Sequence, residues 1–102
     1  MKTRETRALR VVHGTQESFN KKAFVKEDED GTQYLYSYYS LIITNFGKVL
    51  IFEKDVNLYS LTTMKHVREY LRQIGKGELA ALPKTKLFKK LEETNYIIVD
   101  IL

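Results

Sequence analysis

Apolar and polar positions alternate most regularly between residues 34 and 74, and this stretch predicts the unit onto which the rest of the chain packs. Residues 34–44 are rich in Tyr, Leu and Ile, side chains that suit a pleated, half-buried surface, so a strand is expected there. Asn45-Phe46-Gly47-Lys48 predicts a turn because Gly47 tolerates a positive φ, and the run from Val49 to Lys54 then folds back antiparallel. Alternation sets Tyr34, Tyr36 and Tyr38 on one face and Leu35, Ser37 and Tyr39 on the other. The run Leu41-Ile42-Ile43 is apolar on both faces, which predicts a central strand partly covered by a helix.

That helix follows a polar break at Asp55 and Asn57 and a short extended piece over residues 58–61. Thr62 or Thr63 is the expected N-cap, with the helix starting at about Met64. Met64, Val67, Leu71 and Ile74 recur at spacings of three and four and form one apolar stripe, leaving Lys65, Arg68, Glu69 and Arg72 to face away. Gly75-Lys76-Gly77 closes the helix. Upstream, strands are expected over residues 8–12 and 19–26, joined through His13-Gly14-Thr15-Gln16, and Glu27-Asp28-Glu29-Asp30 is expected to be a solvated loop. Downstream, residues 78–83 predict a turn of helix or a linker, and Pro83 opens a helix over residues 84–93 with Leu87, Phe88 and Leu91 buried. Residues 96–102 are too apolar and β-branched for a free tail and predict a terminal strand docked into the sheet, with Ile97, Val99 and Ile101 on its core side. The expected fold class is α+β, a small antiparallel sheet with one or two packed helices in a single domain spanning residues 1–102.

Composition narrows the functional classes. At 102 residues and 43% hydrophobic content the chain can bury one modest core. A formal charge of +4 and a pI near 9.3 permit contact with nucleic acid or an acidic protein. Residues 1–26 are the most basic part, with seven Lys or Arg against two Glu. The absence of cysteine excludes disulfides, thiolate metal sites and cysteine nucleophiles. No run approaches the roughly 20 apolar residues needed to cross a bilayer, and no secretory signal opens the chain, so a soluble protein with no membrane association is expected.

No catalytic pattern emerges. His66 lies one turn before Tyr70, and a Ser60–His66–Asp55 triad has no support from local spacing. A structural or binding role for His66, neutral near the start of its helix, is preferred. His13 and His66 form no paired-histidine metal motif, the acidic run lacks the ligand spacing of a calcium loop, and Gly75-Lys76-Gly77 is not a phosphate loop. The protein is therefore read as a non-enzyme without cofactor or metal. Binding residues are expected among Arg4, Arg7 and Arg10 of the basic amino-terminal part, Arg68 and Arg72 on the helix, and Lys86, Lys89 and Lys90 beyond Pro83, with Tyr36 and Tyr38 available for stacking if their face is open.

The run Tyr59-Ser60-Leu61-Thr62-Thr63-Met64-Lys65-His66, preceded by Tyr36-Ser37-Tyr38 and followed by an amphipathic helix, resembles that of small proteins encoded by bacteriophages and other bacterial mobile elements. The likeness covers about residues 34–74. It implies a host-takeover, defence-countering or replication-associated accessory protein in the cytoplasm of a bacterial host, and it assigns no catalytic role to His66. The leading expectation is a basic accessory protein that binds nucleic acid or a nucleic-acid-handling complex. The alternatives are a protein-directed inhibitor of a bacterial defence nuclease, of anti-CRISPR or anti-restriction type, in which positive charge helps to fill an acidic or nucleic-acid-facing groove, and a homo-oligomeric structural protein.

Overall fold

Two tyrosines turn the strongest predicted strand back on itself. In the computed structural model, which describes residues 3–9, 22–47 and 49–99, the expected strand over residues 34–44 is two strands. Gln33–Ser37 and Ser40–Phe46 are joined by a two-residue turn, Tyr38-Tyr39, both at positive φ (51° and 75°). Positive φ at both central residues is the geometry whose twist matches a hairpin, and it is ordinarily supplied by Asn-Gly. Nothing in the local sequence announces a turn at two bulky residues.

Among the described residues the sheet has six antiparallel strands in sequence order: β1 (Thr3–Ala8), β2 (Ala23–Asp28), β3 (Gln33–Ser37), β4 (Ser40–Phe46), β5 (Val49–Phe52) and β6 (Ile97–Val99). The described first strand is Thr3–Ala8; the strand expected over residues 8–12 and the loop over residues 13–16 fall largely outside the described residues. Glu27 and Asp28 belong to β2, because Glu27 pairs with Gln33 across the hairpin; only Glu29 and Asp30 make the turn. The β4–β5 hairpin forms as expected around Gly47, at φ 58°.

Register explains why Ile42 and Ile43 are both apolar. The pairing shifts between Leu35↔Ile43 and Tyr36↔Leu41, so one extra residue on β4 forms a bulge, and Ile42 and Ile43 both enter the core. The core side of the sheet is the row Val25, Leu35, Ile43 and Phe52, all buried and in register. Burial of each such side chain contributes roughly 1.5–3 kcal/mol.

The three α-helices among the described residues all supply side chains to this same core: α1 (Leu61–Gln73), α2 (Gly77–Ala80) and α3 (Lys84–Glu93). Helix α1 starts three residues earlier than expected. Ser60, not a threonine, is the N-cap, with its Oγ accepting from Thr63 N at 3.1 Å. The segment before it is a 3₁₀ turn, Val56–Leu58, rather than extended chain. Ser60→Ala should cost about 1 kcal/mol in equilibrium unfolding; no measurable loss would remove Ser60 as the cap. At the other end Gly75 takes φ 82°, Lys76 N donates to Leu71 O and Gly75 N to Arg72 O, the paired bonds that close a helix on a left-handed residue.

The expected stripe holds, with Met64, Val67 and Leu71 buried and Ile74 packed against them. Glu69 does not face away: it is only 1% exposed and accepts from Gln73 Nε2 at 2.9 Å. Helix α3 matches expectation in span and in its buried Leu87, Phe88 and Leu91. Strand β6 docks on β5 as expected, but with the opposite facing at its first residue. Ile97 pairs with the exposed Ile51 and is 42% exposed, so it does not enter the core. The backbone alone describes Val99, and Ile101 lies outside the described residues.

Candidate functional site

Every described helix lies on one side of the sheet, and among the described residues no element covers the other side, whose residues follow from register. One row across the strands is Thr6, Lys26, Tyr34, Thr44, Ile51 and Ile97; the next is Phe24, Tyr36 and Leu41. Phe24 and Tyr36 are cross-strand partners, and Lys26 Nζ lies 4.7 Å from the centre of the Tyr36 ring, within the range of a cation–π contact. Thr6, Phe24, Lys26, Tyr36 and Tyr39 together line an open hollow of about 260 Å³ whose wall is almost wholly carbon. Tyr39, 90% exposed, reaches this hollow from the strained turn. At the far end of β2 and β3 the face becomes acidic: Tyr34 Oη donates to Asp28 Oδ2 at 2.7 Å, which pushes the phenol up to about 12. Asp30 lies in the adjoining turn, where its Oδ1 accepts from Thr32 N and its carboxyl is held below the usual range.

Behind the turn, on the core side, sits a buried polar cluster. Ser37 Oγ lies 2.8 Å from His66 Nδ1 and 2.9 Å from Thr63 Oγ1, and Ser60 Oγ donates to Thr63 Oγ1 at 3.2 Å. The end of β3 is thus tied to the first turns of α1. Tyr38 leaves the strand over this cluster, its ring centre 5.9 Å from that of His66 and 5.8 Å from Lys22 Nζ, while its amide donates to Lys22 O. A residue in the left-handed region costs roughly 1–2 kcal/mol when it is not glycine, so the turn persists because its neighbours hold it. The held atoms are those of Ser37, Tyr38 and His66.

A second polar tie fixes the other end of the same pair of elements. Tyr70 Oη donates to Gln33 Oε1 at 2.7 Å and accepts from Asn45 Nδ2 at 3.2 Å, and Gln33 Nε2 donates to Glu27 Oε1 at 2.9 Å. Leu35 and Val67 lie between the two ties. Helix α1 is therefore registered along β3 at both ends, which fixes where the turn presents Tyr39.

His66 is 0% exposed and its imidazole is held well below the ordinary value, at about 4, first by burial and second by the positive charge of Lys22. The folded protein keeps it neutral while the unfolded chain binds a proton near pH 6.5. Stability from this group is complete above pH 6.5 and is lost as the pH falls from there through 4, with a slope of up to about 1.4 kcal/mol per pH unit. Urea unfolding at pH 7 and pH 5 should show this loss, and His66→Gln should flatten that share of the dependence; an unchanged slope would assign it to other groups.

The expected binding residues do not share a surface. Tyr36 lies on the open face and Tyr38 over the buried cluster. Arg68 is half-buried in the helical layer and its Nη2 donates to Leu82 O at 3.3 Å, tying α1 to the segment before α3. Arg72 is in the last turn of α1, and Lys86, Lys89 and Lys90 are exposed on α3, on the other side of the sheet from Tyr36. Arg4 and Arg7 belong to the edge strand β1, described by its backbone at these positions, and Arg10 lies outside the described residues. Phe24 and Tyr39, which line the hollow, are not among the expected binding residues, and Lys26 enters only as part of the basic stretch over residues 1–26. The signal for Phe24 and Lys26 is their period-two placement opposite Tyr36 and Tyr34, once the β2–β3 register is known.

Ser37 is the partner of His66 that local spacing could not supply, since they are 29 residues apart; Asp55 instead caps the 3₁₀ turn through Asn57 N. At 2% and 0% exposure, Ser37 and His66 are closed to a substrate in this conformation. Among the described residues no cluster of His, Asp or Glu has the makings of a metal site, and no helix is long and apolar enough to cross a membrane. No curated protein and no solved structure matches the chain. Residues 7–88 do match the model of a family described as a family of unknown function (DUF8033), and since that match covers most of its length, the chain belongs to this family.

Proposed function

We propose that the protein is a non-enzymatic binding module that takes nucleic acid on the open face of its sheet, in keeping with the accessory role in a phage or mobile element that the Tyr-Ser-x-Thr-Thr-x-x-His resemblance implies. The observation that carries this reading is the placement of Phe24, Tyr36 and Tyr39 around one hollow with the Lys26 ammonium over the Tyr36 ring. Aromatic rings offer surfaces to bases, and an ammonium beside them offers a counter-charge to a phosphate. Lys22, exposed beside Tyr38, extends the positive charge past the turn. The acidic end at Asp28 and Asp30 disfavours phosphate there, so the strand is expected to run over the Lys22–Lys26 end of the face.

Binding of a labelled oligonucleotide, followed by fluorescence anisotropy at rising salt, tests this reading. Affinity should fall steeply with salt. Lys22→Glu with Lys26→Glu should abolish it, and Lys86→Glu with Lys89→Glu should change it far less. Equal losses from the two pairs would place the contact elsewhere, and no binding at low salt would reject the reading.

A second reading is favoured by one feature of the same face. Leu41, Phe46, Ile51 and Ile97 are exposed on its β4–β6 half, an apolar area suited to a protein target or a second copy of the chain. Ile51→Lys would then abolish self-association or target capture and leave oligonucleotide binding intact.

A further inference from the structure

We infer that the hollow beside Tyr39 is a seat for one unpaired base, so that the nucleic acid taken by this face is single-stranded. This rests on the reading of the open face as a nucleic-acid surface and adds which form of nucleic acid it selects. The wall is made by a cross-strand aromatic pair, Phe24 on β2 and Tyr36 on β3, with Thr6 at one side and Tyr39 arriving from the turn. A base lying in it meets ring carbon on more than one side, which a base stacked within a duplex cannot do without leaving its neighbours. Lys26 also lines the hollow, with its ammonium 4.7 Å from the centre of the Tyr36 ring, so a base that stacks on Tyr36 displaces the ammonium toward the phosphate adjoining that base.

The placement of Tyr39 is the independent observation. It is 90% exposed and gains nothing from the core, yet it occupies a left-handed position that glycine would fill without strain. A bulky residue kept at such a position beside an apolar hollow is accounted for by a ligand that it contacts there. Because the wall has almost no polar surface, it reads no base edge, and recognition should tolerate sequence. The 2′-hydroxyl likewise finds few partners in the hollow, so single-stranded DNA and RNA are both expected to enter.

The test uses the full chain and labelled twelve-residue oligo(dT), oligo(U) and a mixed-sequence duplex of the same length at low salt. The single strands should bind at least about tenfold more tightly than the duplex, and Tyr36→Leu should weaken single-strand binding by about tenfold or more while Tyr36→Phe retains it. Tyr39→Gly, which relaxes the turn, should also weaken single-strand binding. Tighter binding of one of the two single strands identifies DNA or RNA as the preferred source of the base. Equal affinity for duplex and single strand, or full single-strand affinity in Tyr36→Leu, overturns the base seat while leaving a charged nucleic-acid face in place. Absence of binding to all three overturns both.

Discussion

His66→Ala should lower the unfolding free energy by roughly 3 kcal/mol at pH 7, the sum of a cavity in a closed interior and the loss of a buried polar contact. The imidazole is fully buried, 2.8 Å from Ser37 Oγ, and forms the floor beneath the Tyr38 ring. Its removal takes away the tie between the end of β3 and α1 and the support of a turn that is strained on its own. His66→Gln, which keeps a polar group at the site, should lose less than alanine. Equilibrium urea unfolding monitored by circular dichroism checks the pair. A loss below about 1 kcal/mol for alanine would mean that the neighbours collapse into the space and that the cluster does not hold the turn.

Replacing Tyr38-Tyr39 with Asn-Gly should move stability and binding in opposite directions. Both positions have positive φ, and Asn-Gly is the pair that this turn geometry favours, so the folded state should gain about 1 kcal/mol after part of the relief is offset by the loss of Tyr38 packing on His66. Oligonucleotide affinity should fall by about tenfold or more, because Tyr39, which lines the hollow, is gone. Strain retained where a better turn sequence exists is expected at functional positions. Unfolding midpoints and anisotropy on the same preparation decide this. A variant that is both more stable and equally able to bind would make the tyrosines incidental to binding.

Much of the architecture was legible because periodicity reports burial directly. The stripe of Met64, Val67 and Leu71, the start of α3 after Pro83 and the hairpin at Gly47 each follow from a local rule, and each is present. The Tyr38-Tyr39 turn was not legible, since its φ values are imposed by contacts from Lys22 and from His66, 28 residues downstream of Tyr38, rather than by turn-forming side chains. The helix start was misplaced because Ser60, Thr62 and Thr63 are all competent caps and only the fold chooses among them. Here it recruits the Thr63 hydroxyl for Ser37 and leaves Ser60 to cap. Ile97 was assigned to the core on alternation alone, but alternation fixes which residues share a face and not which face is covered; pairing with Ile51 settles that. The expected binding arginines and lysines follow from charge, and charge does not report layer. Arg68 proved to be a tie within the helical layer, while the placement of Lys26 over Tyr36 carried no mark in the sequence before its strand partners were known.

Backbone amide shifts followed during titration with single-stranded oligo(dT) test the assignment of the open face most directly. The changes should concentrate at Thr6, Phe24, Lys26, Tyr36, Tyr39 and Leu41, with the amides of α3 around Lys86, Lys89 and Lys90 unmoved. Changes centred on α3 or on Arg68 and Arg72, with the sheet amides silent, would contradict it.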